Sequence, residues 1–250
     1  MDATDTDGLA RRLELLWGER AGAERRSRPG LSLERVVGAA IEVADAEGLA
    51  QLSMSRVADR LGFTTMSLYR YVRSKDELLM LMEEAAIGPP PPLPGPDDGW
   101  RAGLQEWVRQ HLAIYHRHPW LLQIPISGPP LTPNNLLWFE RGLRILGATG
   151  LRAEEKVGVI QLVAGYVRNE AQLSRDLLAA EAAAVAAGGE PVSYGRMLAK
   201  LIDTERFPAL SEMVADGVFD IPEGYSEEDF DFGLQRVLDG VEVLVRTRAE

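Results

Sequence analysis

The chain has 250 residues, of which 46% are hydrophobic, and its formal net charge is −11 at pH 7. This length allows one large domain or two ordinary ones, and the composition is that of a globular protein with a buried core. The absence of cysteine excludes disulfides, thiolate metal sites and cysteine nucleophiles. No apolar run approaches the roughly 18 residues of a membrane span, and the acidic N-terminus is not a secretory signal, so we expect no membrane partner and a cytoplasmic location.

The negative charge is unevenly distributed along the chain. Residues 25–75 carry nine Lys and Arg against five Asp and Glu, whereas residues 76–250 carry 15 against 27. Because DNA is a polyanion, only the first of these regions is suited to bind it. The acidic remainder would help to orient that basic region toward DNA.

The N-terminal part of the chain divides at a proline-rich stretch. We expect residues 1–30 to be a flexible extension, with at most one or two amphipathic turns around Leu13 and Trp17. A firm helix begins after Ser32, because apolar residues then recur at spacings of three and four, and it ends at Gly48. Residues 31–88 form the first predicted domain. Residues 89–98 form a joint, since five prolines lie among residues 88–95; it serves as a stiff spacer or, as a less favoured alternative, as a polyproline motif for a partner.

Between Ser53 and Leu81 the sequence predicts two short helices, a tight turn between them and a third helix. Gly62 occupies the position that needs a left-handed backbone. The second helix is expected over Thr65–Tyr71, and an S-x-x-E capping box opens the third. Each helix start carries a candidate capping residue: Ser53, Thr64 and Ser74. This is the plan of a helix-turn-helix, whose second helix enters the major groove of DNA.

Residues 99–250 are also predicted to be helical. No stretch alternates at period two for long enough to suggest a sheet, whereas apolar stripes at helical spacing recur. Five helices are expected, around residues 100–115, 134–146, 153–187, 194–204 and 226–248. The predicted fold class is therefore all-α.

The segment Leu33–Met82 resembles the DNA-binding domain of the TetR family of one-component bacterial repressors. The resemblance lies in L-S-M-S-R-V-A-D-R-L-G-F-T-T-M-S-L-Y-R-Y-V-R-S-K-D-E-L-L, residues 52–79. The second part is similar to the tetracycline-repressor-type regulatory domain through R-H-P-W at residues 117–120 and F-D-F-G-L-Q-R-V-L-D-G at residues 230–240. The resemblance implies an N-terminal three-helix helix-turn-helix domain and a larger C-terminal helical domain, residues 99–250, that binds a ligand and dimerises.

The same resemblance implies a set of DNA-contacting residues: Ser53, Ser55, Thr64, Thr65, Met66, Ser67, Tyr69, Arg70, Tyr71 and Lys75. Residues 65–67 fall where the recognition helix meets base edges, Tyr69 and Tyr71 where aromatic rings meet phosphates and the thymine methyl group, and Lys75 at a phosphate-contacting lysine. Some relatives place an arginine near Ser55 to read guanine, and here Arg56 or Arg70 is the candidate instead. An N-terminal arm is expected to enter a minor groove through Arg25, Arg26 and Arg28.

Structural roles remain open for several of these residues. The serines and threonines are as plausible as helix caps as they are as base readers, and Thr64 is expected to be mainly a cap. Tyr69 has the alternative of filling the core of the small domain.

The dimer interface is predicted from two helices. Apolar residues of the last helix recur at spacings of 4, 3, 4 and 3 from Phe230, and the helix near residues 153–178 is apolar on two faces, so one face is expected to meet its own domain and the other a second subunit. The predicted interface residues are Val163, Val167, Leu234, Val237, Val241 and Leu244.

The ligand site is predicted from polar residues on apolar stripes. His111 lies between Trp107 and Tyr115, and Asn169 continues the face that holds Tyr166; such groups need a hydrogen-bond partner from protein or ligand. The alternative for each is a satisfied core residue. With aromatic side chains added, the candidate ligand-binding set is Trp107, His111, Tyr115, Trp138, Tyr166 and Asn169. It favours a planar, largely apolar effector, and we predict no metal and no cofactor.

The leading prediction is a homodimeric repressor that binds double-stranded operator DNA and is released by a small-molecule effector. A rival class is an all-helical enzyme that uses His111 and a carboxylate such as Glu170 as acid and base. No nucleophile–base set and no phosphate-binding glycine loop occur in the sequence, so no catalytic residues are assigned. A third possibility is a protein-interaction module that has lost DNA binding, which the basic region disfavours.

Overall fold

The computed structural model describes residues 13–18, 30–92, 99–126, 128–186, 188, 194–219 and 227–249. Within these ranges every regular element is a helix, which confirms the all-α prediction. Two short 3-10 helices span Leu49–Gln51 and Pro119–Gln123, and residues 13–18 are also helical. The helices are α1 Leu33–Glu47, α2 Met54–Leu61, α3 Thr65–Leu68, α4 Lys75–Ile87, α5 Gly99–Arg117, α6 Pro133–Ile145, α7 Ala153–Ala186, α8 Tyr194–Leu201, α9 Pro208–Ala215 and α10 Glu227–Ala249. Among them, none is long and apolar enough to cross a membrane.

Local capping explains where the helices of the helix-turn-helix begin. The hydroxyl of Ser53 accepts a hydrogen bond from the backbone N–H of Arg56 at 3.2 Å, and that of Ser74 accepts one from the N–H of Glu77 at 3.1 Å. Each bond satisfies a backbone donor that has no partner inside the helix. Gly62 ends α2 with φ of 72°, a left-handed conformation that only glycine adopts at low cost.

The second helix differs from its prediction in two ways. It spans Thr65–Leu68 and not Thr65–Tyr71, because the N–H of Tyr71 bonds the carbonyl of Leu68, three residues back, and residues 69–71 form turns. Thr64 makes no side-chain capping bond. Its hydroxyl is instead hydrogen-bonded to the hydroxyl of Ser67 at 2.9 Å, so the expectation that Thr64 is mainly a cap is wrong.

The core beneath α1–α4 extends beyond the predicted boundaries of the first domain. Leu16, at 5% exposure, and Trp120, at 1%, are buried in the same apolar cluster as Val57 and Leu68. The indole N–H of Trp17 donates to the carbonyl of Leu131 at 3.2 Å. Residues 13–18 therefore form the one or two amphipathic turns expected around Leu13 and Trp17, packed on this core; residues 1–12 and 19–29 of the predicted extension lie outside the described residues.

The chain divides into two compact units, and the boundary between them does not lie at the proline-rich joint. One unit comprises the described residues up to Arg168 together with those from Gly240 onward, and the other spans Asn169–Asp239. The proline-rich joint does not separate two units because Trp120 and Leu121 share the core of α1–α4.

Close helix packing organises the first unit. A Cβ on Gly103 of α5 would lie 2.9 Å from the side chain of Ile145, and one on Gly142 of α6 would lie 3.1 Å from that of Ile160 in α7. A side chain at Gly103 would therefore force Ile145 to shift, whereas at Gly142 the Ile160 side chain would have to give by a few tenths of an ångström. In the second unit, the backbone N–H of Gly195 on α8 donates a hydrogen bond at 3.2 Å to the carbonyl of Phe219, which follows α9. This bond links the beginning of α8 to the segment after α9.

Candidate nucleic-acid interface and ligand-binding core

The recognition helix presents large side chains to solvent. Met66 is 75% exposed and Tyr69 is 45% exposed. Arg70 and Lys75 are exposed as well, and the described residues contain no ion pair to either. The exposure of Tyr69 contradicts the alternative that this ring fills the core. These four side chains are therefore accessible to a nucleic acid, as the resemblance implies.

The serines and threonines of the predicted DNA-contacting set differ in how exposed their side chains are. Ser55 is exposed on α2, whereas Thr65 and Ser67 are half-buried on α3. Ser53 is the capping residue of α2, but its hydroxyl proton can still be donated to a phosphate. Thr64 is exposed and linked to Ser67, so the two hydroxyls orient each other at the start of the recognition helix.

Tyr71 has a structural role that the sequence did not indicate. Its hydroxyl donates to the carbonyl of Leu31 at 2.7 Å, and its ring packs against the core of α1–α4. A phenol has one proton to donate, so in this structure the Tyr71 hydroxyl is not free to donate to a phosphate, and its contact with DNA stays a prediction. Tyr71 holds the chain entering α1.

The two arginine candidates for base reading differ in their surroundings. Arg56 forms an ion pair with Glu47 at 2.8 Å. Because such exposed pairs contribute about 0–1 kcal/mol, Arg56 is held only weakly. Arg70, by contrast, has no ion-pair partner in the described part of the chain, so it is the better candidate. The predicted arm at residues 25, 26 and 28 lies outside the described residues.

Three rings of the predicted ligand set are in contact with one another in the first unit, in tilted and edge-to-face arrangements. The His111 ring centroid lies 3.7 Å from that of Trp107 and 4.3 Å from that of Trp138. The indole N–H of Trp107 donates to the carbonyl of Trp138 at 3.0 Å, and both tryptophans are 3% exposed. Three of the candidate ligand-binding residues thus lie in one aromatic cluster that joins α5 to α6, and their binding of a ligand stays a prediction.

His111 is neutral in this cluster. Its pKa is lowered from 6.5 to about 4, mainly by burial and to a smaller extent by the charge of Arg141, against the opposing effect of its bond to Trp107. Nδ1 lies 2.8 Å from the carbonyl of Trp107. Since a carbonyl only accepts, Nδ1 carries the proton and Nε2 is left as an acceptor.

Arg141 is a buried cation beside these rings that the sequence analysis missed. Its side chain lies on α6 and is 5% exposed, with the guanidinium carbon 5.7 Å from the Trp138 ring centroid. The only described hydrogen bond of this side chain runs from Nη2 to the carbonyl of Pro92 at 3.4 Å. The available signal was spacing, because Arg141 follows Trp138 by three residues and shares its helix face.

Tyr115 belongs to a different cluster within the same unit. Burial raises its pKa, with Arg168 and Glu83 as the charged neighbours. Burial likewise raises the pKa of Glu83. Arg168 donates to the carbonyls of Leu122 at 3.0 Å and Ile124 at 2.9 Å. Tyr115 thus lies in a polar junction between α4, α5 and α7.

The remaining two ligand candidates lie on α7. Tyr166 is half-buried and Asn169 is exposed. Leu162, on the same face, is 53% exposed. The argument that Asn169 is an isolated polar group on a buried face is therefore wrong, because that face is open in the single chain.

Two sets of hydrogen bonds connect the helix-turn-helix to the helices of the ring cluster. Glu84 at the end of α4 accepts a bond from the backbone N–H of Asn134 at 2.7 Å, and its own carbonyl accepts one from the Asn134 amide at 2.9 Å. The carbonyl of Gly88 accepts a bond from the Trp138 indole at 3.0 Å. A movement of α6 would therefore be transmitted directly to α4.

The second set of bonds joins α1 to the end of α5. Asp45 accepts hydrogen bonds from Trp120 Nε1 at 2.7 Å and from His118 Nδ1 at 2.9 Å. The His118 side chain is only 12% exposed. His118 and Trp120 of the sequence motif R-H-P-W thus each donate a hydrogen bond to Asp45 on α1, a helix of the DNA-binding part.

Most of the predicted dimer residues are unavailable to a partner. Val163, Val167 and Leu234 are fully buried and Val241 is 4% exposed in the single chain, so their assignment to a subunit interface is wrong. Val237 and Leu244 are half-buried. The exposed apolar residues of the same helices include Leu162, Leu173, Leu177, Leu178 and Val185 on α7, and Phe232 and Val243 on α10.

Comparisons with known proteins agree with this arrangement. The model for bacterial regulatory proteins of the tetR family matches residues 36–81, and that for the tetracyclin repressor-like C-terminal domain matches residues 92–245. The chain belongs to the tetR family. A TetR-family relative, the HTH-type transcriptional repressor DrrR1 of Streptomyces coeruleorubidus, is 42% identical over 98% of this chain and 91% of its own length.

Solved TetR-family structures also match nearly end to end. Apo ActR from Streptomyces coelicolor superposes with a TM-score of 0.69 at 26% identity, covering 88% of this chain and 99% of that chain. ActR in complex with actinorhodin gives a TM-score of 0.68 at 29% identity, covering 85% and 96%. The chain is therefore a TetR-family transcriptional regulator, as the resemblance in its sequence predicts.

Proposed function

We propose that this TetR-family protein is a homodimeric repressor that is released from operator DNA when a planar, largely apolar effector binds at the aromatic cluster of Trp107, His111 and Trp138. The observation that carries the proposal is the bonding of α4 to α6 through Glu84, Gly88 and their partners. It joins the helix that follows the recognition helix to the helix that holds Trp138. The relative named a repressor and the ActR complex with actinorhodin support it.

The DNA-binding half of the proposal rests on the exposed recognition face. Met66, Tyr69 and Arg70 project from a basic region, and Lys75 stands at the N-terminus of α4, where backbone N–H groups favour a phosphate. A TetR-family dimer must place two such faces in half-sites about 34–36 Å apart. A shift of α4 that changes this separation would lower affinity for the operator.

We place the dimer interface on the exposed apolar residues of α7 and α10. Along α7, Leu162, Leu173 and Leu177 recur at helical spacing and are 53%, 43% and 45% exposed. On α10, Phe232 and Val243 are 66% and 64% exposed. Exposed apolar stripes of this kind mark contact surfaces, and each of these two stripes would be covered by a partner subunit.

The enzyme alternative is disfavoured by the state of His111. A general base is most effective when its pKa lies near the working pH, whereas burial lowers that of His111 to about 4. In the described residues no group of three or more His, Asp or Glu is placed to hold a metal ion. We assign this protein no catalytic residue.

The test is a titration of the protein on a fluorescent DNA fragment from upstream of its own gene, read by anisotropy at two salt concentrations. We expect saturable binding that weakens with salt, because phosphate contacts release counterions. Lys75→Ala should weaken binding and reduce the slope of log affinity against log salt by about 1. Lys200→Ala, which removes an exposed lysine of α8, is the matched control and should leave both unchanged.

A companion variant tests the recognition face. Tyr69→Ala should weaken binding to the fragment while its circular dichroism spectrum stays that of the wild type. Unchanged affinity in both Tyr69→Ala and Lys75→Ala would reject the site. Absence of saturable, salt-dependent binding to this fragment and to DNA selected from random sequence would reject the repressor itself.

A further inference from the structure

Arg141 is a buried cation whose hydrogen-bonding capacity is mostly unused. The side chain is 5% exposed, and its Nε and Nη1 atoms have no hydrogen-bond partner among the described residues. Its bond to the carbonyl of Pro92, at 3.4 Å, is long. A buried donor without a partner destabilises the fold, and a charged one does so more strongly. The fold therefore keeps a buried charged group whose hydrogen-bond donors are largely unpaired among the described residues.

Among the described residues, no carboxylate is in contact with the guanidinium of Arg141. Glu106 is the nearby opposite charge that favours the protonated form, but it acts through space. Its carboxylate accepts a hydrogen bond from Gln110 at 2.5 Å and forms no ion pair with Arg141 in the described chain. Burial lowers the pKa of Arg141, yet a guanidinium stays protonated at neutral pH.

The neighbours of Arg141 are flat, apolar and neutral. The guanidinium lies over the Trp138 ring, and His111 contacts Trp107 in a tilted arrangement and Trp138 edge to face. His111 is uncharged and leaves Nε2 as an acceptor. The cluster thus combines ring faces for a planar molecule, one hydrogen-bond acceptor and one positive charge with free donors.

We infer that Arg141 recognises a negatively charged oxygen of the effector, and that the effector is a planar aromatic molecule that carries a carboxylate or an ionised phenol. This inference rests on the proposed function, because it uses the same aromatic cluster as the effector site. A charged oxygen forms shorter and stronger hydrogen bonds with a guanidinium than a neutral one does. Its effect is largest where burial excludes water, and it would supply the partner that Arg141 lacks.

The experiment compares two probes with the same rings, anthraquinone-2-carboxylate and anthraquinone-2-carboxamide, by quenching of tryptophan fluorescence. The wild type should bind the carboxylate at least about tenfold more tightly than the carboxamide. Arg141→Met keeps an unbranched side chain without the charge, so it should abolish the preference and keep the affinity for the carboxamide within about threefold. Arg144→Met, three residues along the same helix and exposed, is the matched control and should retain the wild-type preference.

A third probe separates the two sources of negative charge. We expect 2-hydroxyanthraquinone to bind more tightly at about pH 9 than at about pH 6 if an ionised phenol is accepted. A preference shown for the carboxylate alone would restrict the effector to carboxylates. If Arg141→Met does not fold by circular dichroism, Arg141→Lys replaces it. Lysine keeps the charge but not the planar donor set, so its preference should be intermediate.

Three results overturn the inference: equal affinity of the wild type for carboxylate and carboxamide, a preference that survives in Arg141→Met, or no binding of either probe. The anisotropy assay on DNA keeps this outcome separate from the proposed function. If the carboxylate binds through Arg141 but DNA is not bound or not released, the proposed function fails and the role of Arg141 stands. If DNA is bound normally and the preference is absent, only the role of Arg141 fails.

Discussion

Replacing Asp45 with alanine removes the carboxylate that bonds α1 to the segment after α5. Asp45 Oδ1 accepts bonds from Trp120 Nε1 at 2.7 Å and from His118 Nδ1 at 2.9 Å. Trp120 is only 1% exposed and is packed in the core of α1–α4. The variant would therefore remove the protein acceptor of a buried indole N–H, and only water entering at the exposed Asp45 position could replace it.

The magnitude follows from these two bonds. An unpaired buried donor costs about 1–3 kcal/mol, and the pair with the partly exposed His118 contributes up to about 1 kcal/mol. The free energy of unfolding should fall by about 1–4 kcal/mol, out of the roughly 5–15 kcal/mol typical of a folded domain. Asp45→Asn keeps an oxygen for Trp120 and should lose only about 1 kcal/mol.

The assay is urea unfolding followed by far-ultraviolet circular dichroism, with the free energy taken from the midpoint and slope. Glu47→Ala is the matched control on the same helix, because its ion pair with Arg56 is exposed and should contribute less than about 1 kcal/mol. If Asp45→Ala lost no more stability than Glu47→Ala, the bond from Trp120 would not be a structural link and this reasoning would be refuted.

Three further outcomes are expected. The pKa of His111 falls from 6.5 to about 4 on folding, so between these pH values the unfolded chain binds a proton that the folded chain does not. The free energy of unfolding should therefore decline by about 3 kcal/mol as pH falls from about 6.5 to 4. His111→Phe should remove this part of the pH dependence in urea unfolding, and an unaltered profile would contradict it. Leu177→Arg, at an exposed position of α7, should yield folded monomers in sedimentation analysis, whereas Leu234→Arg, at a fully buried one, should unfold the protein; a dimeric Leu177→Arg would exclude that stripe. Gly62→Ala forces a side chain into φ of 72° and should cost about 1 kcal/mol in thermal unfolding, so an unchanged melting temperature would show that the turn relaxes.

The sequence by itself determined the features that depend on neighbours along the chain. Ser53 and Ser74 cap helices in the structure because a capping bond spans only three residues, and Gly62 is left-handed because the end of α2 requires it. The helical class and the tetR family follow from the same local information, since spacing along a helix and a continuous motif are both visible in one dimension.

Only the tertiary structure decided which neighbour covers each helix face. Two apolar faces on α7 were recognised, but the face of Val163 is buried in its own chain and the face of Leu162 is exposed; periodicity identifies a face without naming its partner. The helix-to-helix bonds of Asp45 and Glu84, the packing role of Tyr71 and the burial of Arg141 all depend on residues tens of positions away. From sequence alone, a polar residue is expected to be exposed to solvent. Only the packing of distant helices around it shows that it is buried and which groups it hydrogen-bonds.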